Sequence, residues 1–175
     1  THIFWWWSFL AGHERRADIG FLNCVVLNAR SIVRKVLDLY FEVVLELSPD
    51  VIGITETWLR NDIADSIFSC CRDYTVFRFD RLGMKRGGGV AILTKKGILC
   101  QSVDLPTDSL LEAVCVLIKG KLNSFLFCVV YRSPTNDSDC NEALLRLLRA
   151  LELYNLPVVI AGDLNLPNIC WSNLT

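Results

Sequence analysis

Short apolar runs and one amphipathic stripe alternate along the first third of the sequence, and this alternation constrains the fold more than any other feature. Residues 21–27 (FLNCVVL) and 51–55 (VIGIT) are continuous apolar runs with β-branched side chains, as is typical of buried strands. Between them, apolar residues at three- and four-residue spacing run from Val33 to Leu47 and predict a helix, with Ser31 as its N-cap. A strand, a helix and a strand in this order predict an α/β fold.

The middle of the chain changes to successive short strands. Apolar runs separated by short polar or glycine-bearing turns occur at residues 74–79, 89–94, 98–103, 112–118 and 125–131. Such close spacing predicts antiparallel pairing. A leucine stripe then predicts a second helix at about residues 139–153, and residues 157–161 (PVVIA) predict a final strand.

The length of 175 residues suits one domain with a substantial core. Hydrophobic residues make up 52% of the chain and charged residues 21%, which excludes intrinsic disorder and favours strands that are covered by other layers. We predict that residues 1–20 form a poorly ordered apolar leader and that residues 21–175 form the domain. The leader is too short to span a bilayer, which needs about 20 apolar residues. We therefore expect an intracellular protein, nuclear or cytoplasmic, without a membrane partner.

Eight cysteines are distributed along the chain without any C-x-x-C pair. Disulfides or a zinc site are the functional alternatives, but the ligand spacing of a zinc site is absent. Several of these cysteines lie within apolar, strand-like runs, where a thiol behaves as a small hydrophobe. We therefore predict free thiols in a reducing compartment.

Polar residues follow three of the predicted strands directly. Asn28 follows the first strand, Glu56 follows VIGIT, and Asp163 and Asn165 follow PVVIAG. In a layered α/β fold such strand ends converge on one rim, where carboxylate and amide oxygens suit Mg²⁺ or Mn²⁺. Each residue also has a simpler interpretation as a turn residue, a helix-start carboxylate or part of a Gly-Asp-x-Asn turn. The residues alone therefore indicate a candidate metal site.

Five segments resemble, in order, the motifs of the exonuclease–endonuclease–phosphatase superfamily. They are LNARS at residues 27–31, ITETWL at 54–59, GGGVAI at 87–92, VVYRSP at 129–134 and GDLN at 162–165. Within the superfamily, these sequences are most similar to the endonucleases of non-LTR retrotransposons, which accompany a reverse transcriptase. The resemblance covers about residues 21–173.

The resemblance implies a four-layer α/β sandwich, with two mixed sheets packed face to face between outer helices. It implies that Glu56, as the principal ligand, and Asn28 hold the Mg²⁺ or Mn²⁺ ion. Tyr131 would orient the scissile phosphate, and Asp163 would position or activate the attacking water. Asn165 would donate a hydrogen bond to the phosphate or to the developing oxyanion. The implied reaction is the nicking of one DNA strand, which leaves a 3′-hydroxyl for a reverse transcriptase encoded downstream.

Three arginines in or beside these motifs are predicted to contact nucleic acid: Arg30, Arg86 and Arg132. Arg86 belongs to a basic segment, residues 78–86, that suits either DNA phosphates or a solvated loop. The formal net charge of the chain is −1, so there is no overall basic field. Contacts with DNA therefore have to come from local patches.

The superfamily places a Ser-Asp-His motif near its carboxyl end, whereas this sequence stops at Thr175 and has only His2 and His13. The resemblance therefore implies a domain that is incomplete at its carboxyl end, with hydrolysis slower by about 10²–10⁴-fold. Two alternatives stay open. One is a catalytically inactive remnant that serves as an interaction or nucleic-acid-binding module, and the other is a same-fold repair nuclease or phosphatase.

Overall fold

The computed structural model describes residues 7–10, 22–83, 87–106, 111–120, 123–134 and 138–166. The first sheet contains five strands in the order β1-β2-β3-β5-β4. These are β1 (Trp7–Leu10), β2 (Asn23–Asn28), β3 (Val51–Thr55), β4 (Tyr74–Phe79) and β5 (Val90–Lys95). Strands β2 and β3 are parallel, and the other neighbours are antiparallel.

The second sheet contains four strands in the order β6-β7-β8-β9. These are β6 (Cys100–Val103), β7 (Leu111–Lys119), β8 (Ser124–Arg132) and β9 (Val158–Asp163). Only β8 and β9 are parallel in this sheet, as far as the described strands extend. The antiparallel pairing predicted for the middle of the chain is thus confirmed for β4–β5, β6–β7 and β7–β8.

Helical segments cover the outer faces of both sheets. The first is α1 (Val36–Asp38), which continues directly into a π-helical stretch, Leu39–Leu45. A 3-10 helix, Asp65–Cys71, packs on the same side, and α2 (Ser138–Glu152) covers the second sheet. No helix in the described part of the chain combines the length and apolarity that crossing a membrane requires.

The prediction that Ser31 caps the first helix is wrong. Its backbone has a φ of 82°, and the helix begins five residues later, after Lys35. The reason lies in tertiary pairing: the Ser31 N–H donates to the Glu56 carbonyl and the Ile32 N–H to the Thr57 carbonyl, each at 2.9 Å. These backbone groups tie the segment to the loop after β3, so they are not available to open a helix.

Part of the predicted amino-terminal leader contributes a strand to the first sheet. Residues Trp7–Leu10, predicted to be poorly ordered, form β1 and pair antiparallel with β2. The pairing satisfies backbone groups along an edge of β2 that would otherwise be open. These four residues of the predicted leader thus belong to the first sheet, and the rest of the leader lies outside the described residues.

Alternation along the strands creates three apolar interfaces. In β8, Phe127, Val129 and Tyr131 face the first sheet, whereas Leu126, Cys128 and Val130 face α2. The outer face of the first sheet packs against the buried Leu39 and Val43 of the π-helical stretch and against the 3-10 helix. Helix, sheet, sheet and helix therefore form four layers, and the predicted four-layer α/β sandwich is confirmed.

The described cysteines are all free thiols, as predicted. Burial raises the pKa of Cys24 to about 11 and that of Cys71 to about 12. Both side chains therefore stay protonated at neutral pH and act as apolar packing groups rather than as nucleophiles. Cys170 lies outside the described residues.

Candidate active site

Three polar side chains from the two sheets meet where the parallel strand pairs end. Asn28 is the last residue of β2, Glu56 follows β3, and Asp163 is the last residue of β9. The Asn28 side-chain amide donates to Glu56 Oε1 at 2.8 Å and to Asp163 Oδ2 at 3.4 Å. The fold thus brings both carboxylates within reach of one amide nitrogen, although 135 positions separate Asn28 from Asp163 in the sequence.

The loop after β3 presents Glu56 in a left-handed backbone conformation, with a φ of 51°. The loop is held by the glycine turn before β5, because the Thr57 N–H donates to the Gly89 carbonyl at 3.1 Å and the Trp58 N–H to the Gly88 carbonyl at 2.8 Å. A Cβ at Gly89 would lie 2.3 Å from Thr57 Oγ1, so only glycine allows this close approach. The Trp58 indole N–H also donates to Glu56 Oε2 at 3.4 Å, which limits rotation of the carboxylate.

These side chains fit a hard divalent cation. Two carboxylates and one amide oxygen suit Mg²⁺ or Mn²⁺, which is commonly held by one or two carboxylates and retains several waters. Among the described residues, Glu56 and Asp163 take part in no ion pair, so their mutual repulsion would be offset by a cation. The Asn28 amide now turns its nitrogen to the carboxylates while Oδ1 accepts the Arg30 N–H at 3.1 Å. A half-turn of the amide would present Oδ1 to the ion instead.

The ion would have to rely on this mixed donor set. Within the described residues, no group of three or more His, Cys, Asp or Glu side chains is placed to hold a metal ion. Water and a substrate oxygen are therefore needed to complete the coordination shell, and a site of this kind stays open to a ligand.

Tyr131 lies beside Asp163, because the two residues are partners in the β8–β9 register. Burial raises the pKa of the Tyr131 phenol, and the negative charge of Glu56 raises it further, while Arg81 acts in the opposite direction. The phenol therefore stays protonated at neutral pH. A protonated hydroxyl at this position can donate a hydrogen bond to a phosphate oxygen.

A buried ion pair that the sequence did not point to supports Tyr131 from the other side. Glu112 is only 4% exposed, pairs with Tyr131 across β7 and β8, and accepts hydrogen bonds from Arg81 Nε and the Gly89 N–H. The Arg81 guanidinium carbon lies 5.7 Å from the centre of the Tyr131 ring. The only signal in the sequence was a glutamate at the start of an otherwise apolar strand.

Asn165 lies just beyond β9 and is bound to the end of β8. Its side-chain amide donates to the Arg132 carbonyl at 2.7 Å, and its own carbonyl accepts from Arg132 Nη1 at 2.9 Å. Arg132 is 0% exposed, and its Nη2 donates to Asn141 Oδ1 of α2 at 3.0 Å. The prediction that Arg132 contacts nucleic acid is therefore wrong as a direct contact, because its guanidinium is enclosed beneath α2.

A basic cleft of about 750 Å³ lies against the loop that follows β3. Its lining includes five basic residues and no acidic one among the described residues: Arg30, Arg34, Lys35, Arg60 and Arg81. Arg60 is ion-paired with Asp62 and Arg81 with Glu112, so Arg30, Arg34 and Lys35 supply most of the positive charge. Trp58 forms part of the wall and links the cleft to Glu56. Arg30, predicted to contact nucleic acid, lies in this cleft, whereas Arg86 lies outside the described residues.

The glycine of the Gly-Asp-x-Asn motif provides a test of how the site is packed. A Cβ at Gly162 would lie 2.1 Å from the Val130 carbonyl oxygen, in backbone that cannot move aside easily. We expect Gly162→Ala to destabilise the domain by about 1–3 kcal/mol in urea denaturation, because the clash forces β9 away from β8. Gly97→Ala is the control, since Gly97 also has a positive φ but has nothing within 4 Å of the added carbon. Equal losses in both variants would contradict the packing argument.

Solved structures with the same fold include an AP endonuclease and the proteins TDP2 and Nocturnin. The AP endonuclease LMAP from Leishmania major has a TM-score of 0.63 at 17% identity, covering 81% of this chain and 54% of that one. Humanized TDP2 from D. rerio has a TM-score of 0.58 at 17% identity, covering 84% and 63%. The catalytic domain of human Nocturnin has a TM-score of 0.57 at 16% identity, covering 75% and 57%. The chain thus spans less than two thirds of each of these proteins.

No curated protein matched the chain in a sequence search. The profile of one family, described as the Endonuclease/Exonuclease/phosphatase family, matches residues 26–174. That range contains Asn28, Glu56, Tyr131, Asp163 and Asn165 and both sheets apart from β1 and the start of β2. The chain therefore belongs to the Endonuclease/Exonuclease/phosphatase family.

Proposed function

We propose that this chain is a Mg²⁺- or Mn²⁺-dependent endonuclease domain of the retrotransposon type, which nicks one strand of DNA and leaves a 3′-hydroxyl. Members of its family are hydrolases that act on phosphodiester bonds and typically depend on a divalent metal. The TETWL and YRSP segments support the retrotransposon type, with a reverse transcriptase as the expected partner domain that extends the new end.

One observation carries the proposal: Glu56 and Asp163 share the Asn28 amide, and the Trp58 indole connects Glu56 to a cleft lined by basic residues. The carboxylates supply a place for a divalent ion, and the cleft supplies positive charge for phosphates on either side of the bond to be cut. The chain as a whole has a net charge of −1, so this concentration of basic residues is local. A polyanionic substrate fits that arrangement.

The residues around the Asn28 amide can each take a different role in the hydrolysis. When bound, the ion neutralises phosphate charge and stabilises the leaving oxygen. The Tyr131 hydroxyl donates to a non-bridging phosphate oxygen and fixes the phosphate in place. Asp163 accepts a proton from the attacking water, and an N–H of the Asn165 amide stabilises charge that develops on the phosphate.

The lining of the cleft fits a nuclease better than a phosphatase that acts on small esters. A small phosphate ester needs only the ion and its immediate donors, whereas the exposed Arg34 lines the cleft beyond them. Charges placed away from the reacting phosphate are useful when the substrate continues along the surface. The cleft therefore favours a strand of nucleic acid as the substrate.

Nicking of supercoiled plasmid tests the proposed function. The protein should convert supercoiled DNA to the open-circular form with Mg²⁺ or Mn²⁺, and the reaction should stop when EDTA is added. A DNA polymerase should extend the nicks without prior phosphatase treatment, because the proposed product carries a 3′-hydroxyl. Absence of nicking with both ions, in protein whose folding is verified, would contradict the proposal and favour an inactive interaction module.

The role of the cleft can be measured separately from catalysis. We expect Arg34→Ala to weaken DNA binding and to reduce the slope of log affinity against log salt by about 0.9, the value for one lost phosphate contact. Binding would be followed by fluorescence anisotropy with Ca²⁺ in place of Mg²⁺. Arg149→Ala, an exposed residue of α2 on the outer face of the second sheet, is the matched control. An unchanged slope in Arg34→Ala would exclude this part of the cleft as a DNA contact.

A further inference from the structure

We infer that Arg132 is a positioning residue that sets the place of Asp163 and Asn165 by tying the loop after β9 to both β8 and α2. The inference rests on the proposed function for its catalytic consequence, but the contacts that carry it are structural. The guanidinium contacts neither Glu56 nor Asn28 in any described hydrogen bond. Its partners include the Asn165 carbonyl and Asn141 Oδ1.

The reciprocal bonding between Arg132 and Asn165 fixes both the backbone and the side chain of Asn165. Arg132 Nη1 donates a hydrogen bond to the Asn165 carbonyl, and the Arg132 carbonyl accepts one from the Asn165 side-chain amide. Asn165 needs such support because its φ is 45°, a left-handed conformation that costs energy in a non-glycine residue. A primary amide has two N–H groups, so one of them is used to orient the side chain and the other can serve a phosphate.

The location of Arg132 explains why it acts on this loop. Side chains alternate along β8, so Tyr131 points towards the first sheet while Arg132 points towards α2. Asp163 is the register partner of Tyr131, and Asn165 lies two residues further along the chain. Arg132 therefore extends the β8–β9 pairing beyond the last paired residues, where backbone hydrogen bonds between the strands have ended.

Arginine suits this task better than lysine. Its planar guanidinium carries several donors in a fixed fork, so two of its nitrogens can serve two acceptors from different elements at once. A lysine ammonium is a single flexible point and cannot reproduce that geometry. Because the buried Arg132 guanidinium contacts both Asn165 and Asn141, it is better suited to positioning the loop after β9 than to binding the negative charge of a substrate.

The test compares the variants Arg132→Lys, Arg132→Met and Asn141→Ala of the protein. Hydrogen exchange, measured without substrate or metal on peptides covering residues 158–166, should become about tenfold faster in the two Arg132 variants and less so in Asn141→Ala. In plasmid nicking, kcat should fall by about 10²-fold in Arg132→Lys while KM changes by less than about threefold, since small misplacements of reacting groups lower the rate. Arg149→Met, at an exposed position of α2, is the control for both measurements.

The outcomes separate the inference from the proposed function. Unchanged exchange at residues 158–166 in both Arg132 variants would overturn the inference, whatever the activity. A rise in KM with an unchanged kcat would also overturn it, because that pattern indicates a direct substrate contact. If the wild-type protein does not nick DNA, the proposed function fails, and the exchange rates alone decide whether Arg132 places the loop. Asn141→Ala keeps the test valid if the Arg132 variants do not fold, because Asn141 is exposed and its loss alone should still quicken exchange at residues 158–166.

Discussion

Replacement of Glu56 by glutamine should lower the nicking rate by roughly 10³-fold, since loss of a principal ion ligand removes several kcal/mol of charge stabilisation. Glutamine has almost the same shape as glutamate, so the left-handed backbone at this position and the contact from Trp58 can be retained. What is lost is the negative charge that, with Asp163, makes the site attractive to a divalent cation.

Stability provides the check that this loss is chemical rather than structural. Without metal, Glu56→Gln should unfold at the same urea concentration as the wild type or slightly higher, because a repulsion between two neighbouring carboxylates is removed. Glu46→Gln, at an exposed position after the π-helical stretch, is the matched control and should nick at the wild-type rate. Undiminished nicking by Glu56→Gln would eliminate Glu56 as the principal ligand.

Replacement of Asp163 by asparagine should cost about 10²–10⁴-fold in rate, the range for loss of a positioned general base. The asparagine amide keeps an oxygen near the ion, but it cannot take a proton from the attacking water. We therefore expect Mn²⁺ to bind less tightly than to the wild type but more tightly than to Glu56→Gln, even though both variants are slow. The two carboxylates are thus distinguished by Mn²⁺ affinity, which should fall further in Glu56→Gln, although the nicking rate falls in both variants.

Single-turnover nicking and Mn²⁺ titration, performed on the same preparations, would measure both effects for Asp163→Asn. Asp104→Asn, at an exposed position after β6, provides the matched control. A rate for Asp163→Asn within about threefold of the wild type would be incompatible with a proton-accepting role, since such roles contribute at least about 10²-fold.

Much of the fold could be predicted because it depends on local periodicity. The strand at residues 51–55 was predicted to the residue, and the predicted second helix differs from α2 by one residue at each end. Continuous apolar runs indicate strands that are buried on both faces. The three apolar interfaces confirm that both sheets are covered on both faces. The meeting of Asn28, Glu56 and Asp163 followed from their places at strand ends, because the strand ends of a layered α/β fold converge on one rim.

The features that could not be predicted depend on partners that are distant in the sequence. Serine is a favoured N-cap residue, but the backbone of Ser31 is hydrogen-bonded to the loop after β3. Arginine is usually a surface residue, but the approach of Asn165, 33 positions away in the sequence, gives the buried Arg132 guanidinium a hydrogen-bond partner. Glu112 is similar, since its charge is balanced by Arg81, 31 positions earlier. Local pattern carries no information about such pairs, because burial of a charge depends on what the fold brings to it.

The central claim is that Asn28, Glu56 and Asp163 share one divalent ion, and the most direct measurement is anomalous scattering from a crystal of the protein grown with Mn²⁺. The account predicts one strong anomalous peak per chain, within coordination distance of carboxylate oxygens from both Glu56 and Asp163 and with the Asn28 amide oxygen turned towards it. A peak bound to only one of the two carboxylates and remote from the other, or saturating Mn²⁺ with no peak at this rim, would contradict it.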